Sequence, residues 1–381
     1  MKILVLTPRY PWPITGGDVL RIFNVCKTLK SQGHTLHLLS FYTDEDVIEN
    51  KELNDVFDKI FLVKINEKIA KVKALLYFLT PFASQIGYYY SQNFSKKFKE
   101  IENNYDNFLV HLIRMMPYIK KSKLNKVIFE MTDSISLNYK RSLKYRKNIK
   151  KMFYYVEMKK LKVIEKFYIQ RAKKTIVVSE VDKNCYSTFL QKKIFVQTNG
   201  YESKKINMFQ IKNKDIVFIG NMRTDANHKM VIYFIKEILP EIRKNNLNIK
   251  LKIIGAEPQT ELFKICKNQN IEITGKVNNI FDHLNSAAIS VCPMLFGAGV
   301  QNKIIESASF GIPVVTTEIG SEGLLTGILD SLVIAKNKND FIKKINYLIK
   351  NDELRNKLSN SGYNFVIENY SWNKTLENYL L

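Results

Sequence analysis

Short apolar runs alternate with amphipathic stretches along the whole chain. Ile3 to Thr7 predicts a first buried strand, and it is too short to serve as the core of a signal peptide. A helix is expected from about Val19 to Lys30, where Leu20, Phe23, Val25 and Leu29 roughly follow helical spacing. Further strands are expected at Leu36 to Phe41, Ile60 to Val63, Phe108 to Leu112, Lys126 to Phe129 and Thr175 to Ser179. A second series covers Ile216 to Ile219, Lys250 to Ile254, Ile271 to Thr274, Ala288 to Cys292, Val314 to Thr316 and Leu332 to Ile334. Helices are expected between them, notably Met230 to Leu239 and Asp340 to Ile349. Strands alternating with helices argue for doubly wound parallel sheets, which take ligands at the carboxyl ends of their strands.

Two stretches depart from this pattern. Ile69 to Tyr90 is apolar and aromatic, with Lys68, Lys71 and Lys73 beside it. It is expected to be core, its lysines snorkelling to water; the alternative is a segment lying in a membrane interface. Tyr139 to Lys174 is long, helical and crowded with Lys and Arg, which suits either anionic lipid headgroups or a solvated face.

Composition narrows the classes. A chain of 381 residues accommodates two domains, and 45% apolar content excludes a disordered protein. No apolar run reaches the ~18 residues of a membrane span. Cys26, Cys185, Cys266 and Cys292 lack metal-type spacing and are expected as buried, reduced thiols. A net charge of +23 could meet nucleic acid, an anionic membrane or a polyanion. The basic residues spread over many expected helices and no nucleic-acid motif occurs, so specific nucleic-acid binding is not expected. The expected location is the cytoplasm, with peripheral attachment to the inner membrane face as an option.

Candidate chemistry concentrates between Cys292 and Gly323. The strand ending at Cys292 runs into Gly297-Ala298-Gly299 and then a helix, on which Lys303 and Glu306 lie three residues apart on one face. A strand, a glycine loop and a helix start can bind an anion through free amides and the helix dipole. Lys303 adds a charge for phosphate, and Glu306 can accept hydrogen bonds from ribose hydroxyls. The same spacing also fits an ordinary strand-turn-helix with an exposed Lys and Glu.

The segment Pro293 to Glu306, followed by Gly311-Ile-Pro-Val-Val and Gly320-Ser-Glu-Gly323, resembles the donor signature of retaining glycosyltransferases. These are the two-Rossmann-domain (GT-B) enzymes of the glycogen synthase and sucrose synthase-like group, and the likeness is greatest to an exopolysaccharide and capsule branch. The resemblance implies an α/β fold with two Rossmann-like, doubly wound parallel-sheet domains facing across a cleft. It implies an acceptor domain over 1–203, a nucleotide-sugar domain over 204–365 after a linker near Glu202 to Lys214, and a C-terminal helix over 366–381 that crosses back, with Trp372 as its anchor. It further implies a nucleotide-diphosphate sugar as donor, a glycan or lipid-linked acceptor, and no metal or other cofactor.

By the same resemblance, Glu306 holds the donor ribose, and Gly297, Ala298, Gly299 and Val300 line the donor. Ala298 stands where many members carry a second glutamate. Gly220 opens a loop in which Arg223 and Lys229 stand in for the basic pair that neutralises the leaving diphosphate. Gly255, Gly275 and Val277 bracket the nucleobase. Gly16 and Gly17 match the glycine loop near phosphate and acceptor. Asp133 fills the place of an acceptor-orienting acidic residue, although it suits a helix cap slightly better. His111, at a strand end, and Arg114 are candidates for the acceptor or phosphate loop, although a lone histidine at such a place is more often structural. Two alternatives stay open: an epimerase or hydrolase on the same fold, and a non-catalytic membrane-docking partner with a degenerate nucleotide site.

Overall fold

In the computed structural model the first apolar run becomes β1 (Lys2–Thr7), an inner strand of a parallel sheet. Joining it are β2 (Thr35–Tyr42), β3 (Lys59–Lys64), β4 (Asn107–His111), β5 (Val127–Thr132), β6 (Lys174–Val177) and β7 (Ile194–Val196), in the order β3-β2-β1-β4-β5-β6-β7. A second parallel sheet contains β8 (Asp215–Ile219), β9 (Leu251–Ile254), β10 (Ile271–Gly275), β11 (Ala287–Cys292), β12 (Val314–Thr317) and β13 (Leu332–Ala335), in the order β10-β9-β8-β11-β12-β13. The structure describes residues 1–14, 16–44, 46, 50–201, 206, 214–246, 248–267, 269–277, 279–296 and 299–380. The expected linker near 202–214 and the expected boundary between 203 and 204 lie largely outside them.

The chain divides into two compact units, Met1–Thr198 with Leu376–Leu381, and Asn199–Thr375. In each unit the first strand pairs on one side with the second and on the other with the fourth. Connections therefore wind in opposite senses from that pair, which leaves a crevice at its carboxyl end. The crevice lies beyond Thr7 and His111 in the first unit, and beyond Ile219 and Cys292 in the second. Central strands such as β4 and β11 are buried along their whole length, which explains why both are mostly apolar without a polar face.

Four expectations need correction. β4 stops at His111 rather than Leu112, because Leu112 turns to φ 67° and cannot continue the ladder. Cys185 is exposed, since it follows the short helix Glu180–Asn184 rather than facing the sheet. The Ile69–Tyr90 segment is core only in part. Its helix Glu67–Phe78 buries Ala70, while Ile69, Val72, Leu75 and Leu76 are exposed. The expected helix over 366–381 is broken: one helix ends at Asn369, a short one covers Trp372–Thr375, and turns follow. The break arises where Tyr201 N–H takes the Tyr370 carbonyl and Gly200 packs on the Trp372 backbone.

The last residues are tied to the first unit by buried polar contacts. Glu130 on β5 is fully buried and accepts Arg21 Nε at 2.8 Å and a second guanidinium nitrogen at 3.2 Å. Tyr379 donates its hydroxyl to the same carboxylate. Lys174 Nζ donates to the carbonyls of Asn378 and Tyr379, both at 3.0 Å. Removing Glu130 would strand a buried guanidinium, whereas removing the Tyr379 hydroxyl leaves the ion pair intact. Urea unfolding should therefore show Glu130→Ala losing about 3–5 kcal/mol and Tyr379→Phe about 1–3 kcal/mol. Equal losses would show that the tail, not the ion pair, carries the stability.

Candidate functional site

In the second unit the loops after five strands gather at the carboxyl edge of the sheet. The tightest approach is between Gly220, after β8, and Gly255, after β9. A Cβ on Gly255 would sit 2.0 Å from the Gly220 carbonyl oxygen, and both residues take positive φ, so only glycine fits here. Gly275, the last residue of β10, accepts the Gly255 N–H at 3.2 Å. Asn227 donates to the Asn221 carbonyl at 2.8 Å and closes the 220–227 loop over its helix start. Val277, like Ile280 and Phe281, packs against a buried cluster that includes Ile219 and Ile254 at the ends of β8 and β9.

Beyond β11, Thr316 donates to the Cys292 carbonyl at 3.0 Å and Thr317 to the Met294 carbonyl at 2.8 Å, so β12 steers the exit of β11. Gly299 is turned to φ 76°, and a Cβ on Gly323 would reach within 2.5 Å of its carbonyl oxygen and 3.1 Å of the Val300 Cα. This contact explains why a glycine closes the Gly320–Gly323 run. Gly297 and Ala298 lie outside the described residues.

The helix Asn302–Ser309 buries Ile304, Ile305 and Ala308 in the core, worth roughly 1.5–3 kcal/mol for each isoleucine. Ser307 donates to Ser290 of β11 at 2.7 Å, fixing the rotation of the helix. Lys303 and Glu306 are thereby left on the remaining face. Burial pushes the Glu306 carboxyl up to about 7, against the opposing pull of Lys303. Lys303 reaches Gln301 Oε1 at 3.2 Å and lies 5.8 Å from the centre of the Phe218 ring on β8. Tyr201 adds a buried hydroxyl without a hydrogen-bond partner among the described residues; burial first, and then the Glu306 charge, raise its pKa. Sequence reasoning passed over Tyr201, whose only signal was its place just after the Asn199-Gly200 turn.

The two cations expected in the 220–229 loop part company. Lys229 sits 5.4 Å over the Phe296 ring, in the segment that leads to Gly299, and pairs with Asp225 at 3.2 Å. Arg223 is largely exposed and reaches instead toward Glu257, 3.6 Å away beyond β9. Lys229 and Lys303 thus flank the crevice between β8 and β11, and Arg223 stands at its margin.

The first unit has its own polar edge. Gly16 precedes the helix Gly17–Ser31, and its carbonyl accepts the Leu20 N–H. Burial pushes the Asp18 carboxyl up, but Arg9, His111 and Arg114 together outweigh it and hold it below its ordinary value. His111 is buried, and burial drives its imidazole down to about 3 despite the nearby Asp18. His111 Nδ1, Arg114 Nε and Thr132 Oγ1 are buried without hydrogen-bond partners among the described residues. Leu112 and Thr132, at the ends of β4 and β5, both have φ 67°. Strained backbone and unpaired polar atoms at a strand edge are features of binding sites. The structure therefore brings the two acceptor or phosphate candidates, His111 and Arg114, into one polar cluster. Arg9 and Asp18 were missed; their signal was a charge on each side of the Gly16 turn.

Asp133 is not the helix cap. Ser134 takes that role, its hydroxyl accepting from the Leu137 N–H. Asp133 instead adjoins Asp182 and Glu165, and burial followed by those two charges raises its pKa. Among the described residues no group of three or more His, Cys, Asp or Glu could hold a metal ion.

The raised Glu306 pKa has a consequence for stability. Folded Glu306 keeps its proton until about pH 7, whereas the ordinary carboxyl releases it near 4.5. The folded state binds more proton in that window, so its stability falls as pH rises through it. Glu306→Gln removes this contribution. The stability of the variant relative to wild type should rise by roughly 2 kcal/mol between about pH 5 and about pH 8 in urea unfolding. A flat difference would show that the carboxyl is solvated.

Comparison with known proteins agrees with this geometry. Residues 213–351 match the family model for glycosyl transferases group 1. An uncharacterized 44.6 kDa protein in the cps region of Klebsiella pneumoniae is 27% identical, over 98% of this chain and 97% of that one. An uncharacterized glycosyltransferase of Methanocaldococcus jannaschii is 24% identical, over 97% of this chain and 95% of that one. Among solved structures, Anabaena HepE in complex with UDP and glucose superposes with a TM-score of 0.69 at 11% identity, over 100% of this chain and 98% of that one. Residues 213–351 thus form a glycosyl transferases group 1 module on a GT-B fold, and the chain is a glycosyltransferase.

Proposed function

We propose that the chain is a retaining transferase that moves a sugar from a nucleoside diphosphate to a hydroxyl of a glycan or lipid-linked acceptor, in the making of a bacterial surface polysaccharide. The observation that carries this reading is Glu306, desolvated and one helical turn from Lys303 at the β8/β11 crevice. A desolvated carboxylate can receive two ribose hydroxyls, and Lys303 and Lys229 can meet the diphosphate. The solved relative named above holds UDP and glucose, and the Klebsiella relative lies in a cps region.

The step follows from where charge develops. The bond between the sugar C1 and the phosphate oxygen breaks, and its electron pair leaves with the diphosphate. The acceptor oxygen bonds to C1 on the same face, and its proton passes to the departing phosphate oxygen. Amides near Gly299 and the two lysines stabilise the departing charge without rearranging, which is where preorganised electrostatics act most strongly. The cationic side chains do the work of a divalent metal on this reading, so EDTA should leave turnover unchanged.

Calorimetric titration with UDP, GDP and ADP tests the donor site. One nucleotide should bind in the micromolar range, with affinity falling about tenfold or more in Glu306→Ala. Lys303→Ala should lower turnover by about 10²–10³. Absence of binding to all three nucleotides would overturn the reading.

A further inference from the structure

Two helices of the first unit carry apolar side chains on the face turned away from the core. On the helix Glu67–Phe78, the inward face presents Ala70 and the partly buried Tyr77 and Phe78. Ile69, Val72, Leu75, Leu76 and the adjoining Leu79 are each more than half exposed, and Leu79 reaches 83%. At about 100° per residue these five fall within roughly a third of the helix circumference. Lys71 and Lys73 flank the stripe, and Lys68 stands at its start. A surface helix that is apolar on both faces has a second face without a partner.

The helix Asn148–Arg171 adjoins it. Phe78 stacks on Phe153 with ring centres 5.1 Å apart, and Lys160 Nζ donates to the Phe78 carbonyl at 2.6 Å. Ile149, Met152, Tyr155 and Val163 lie exposed along this second helix. Its charges are segregated. Both of its carboxylates point inward: Glu157 accepts from Ser84, and Glu165 accepts from Ser136 and Tyr186. Lys150, Lys151, Lys159, Lys162 and Lys166 are all exposed. Among the described residues, Glu67 is the one exposed carboxylate on the two helices, and it is paired with Lys71.

We propose that this face docks on an anionic lipid bilayer. A bilayer interface accepts separate apolar side chains without a complementary groove, and its headgroups meet the lysines that surround them. A second copy of the chain would set lysines against lysines across the contact, a repulsive arrangement. The proposal rests on the surface of the first unit and is independent of the donor-site reading.

Vesicle co-sedimentation tests it on the full-length protein. Phosphatidylcholine vesicles containing phosphatidylglycerol should bind the wild type at least about tenfold more strongly than phosphatidylcholine alone, and added salt should weaken that binding. The double variant Leu75→Glu/Leu79→Glu should lose the binding while keeping its melting temperature and its nucleotide affinity, since both positions are exposed. Replacing Lys159, Lys162 and Lys166 with Ser should flatten the salt dependence. Failure of the wild type to bind anionic vesicles, or equal binding by the double variant, would overturn the proposal. A wild-type dimer that the double variant turns into a monomer, without vesicle binding, would assign the face to self-association instead.

Discussion

The pairing of β11 on both edges is the constraint on which the second unit depends. β8 and β12 hold it from either side, and all six of its residues are buried. A strand held this way cannot slide, because a slip of one residue would turn every side chain to the opposite face. Its end at Cys292 therefore lies at a defined place. The Thr316, Thr317 and Ser307 hydroxyls carry that position outward to the following loop and helix. Glu306 inherits its placement from this chain of contacts.

Placement also sets the chemistry of that carboxyl. On an open helix face Glu306 would titrate like any glutamate, with Lys303 one turn away making it more acidic. Here the loss of water outweighs the lysine, and the proton stays on until about pH 7. Such a group is primed for hydroxyl or phosphate-bearing ligands that replace the missing hydration. The first unit treats His111 by the same physics with the opposite sign: burial strips a cation of water, so the imidazole stays neutral to about pH 3. A neutral ring whose Nδ1 has no partner among the described residues can both donate and accept, and Arg9, Asp18 and Arg114 supply the fixed charges around it.

Local pattern was enough to locate every described strand but β7 (Ile194–Val196), and to single out Glu306 and Lys303. Strand runs such as Ala287–Cys292 are apolar because both faces are covered, and the period is therefore visible without knowing what covers them. Lys303 and Glu306 were visible because helical spacing alone puts them on one face. Arg9, Asp18, Thr132 and Tyr201 were not, because each becomes part of a site only when residues distant in sequence fold beside it. Local pattern also misplaced Asp133, since a neighbouring serine was the better cap, and grouped Arg223 with Lys229, which the fold separates.

The sequence by itself determined the alternation of strand and helix, the two doubly wound sheets and the glycine positions where backbones meet. These follow from side-chain periodicity and from the exclusion of a Cβ, both of which act over a few residues. Tertiary structure alone decided which charges lose water, which cation faces the crevice, and which side of the Glu67–Phe78 helix meets solvent. That helix carries apolar residues on both its buried and its exposed face, so no pattern along the chain could choose between them. The choice was made by Phe153 and Lys160, some eighty residues away in sequence, closing on Phe78.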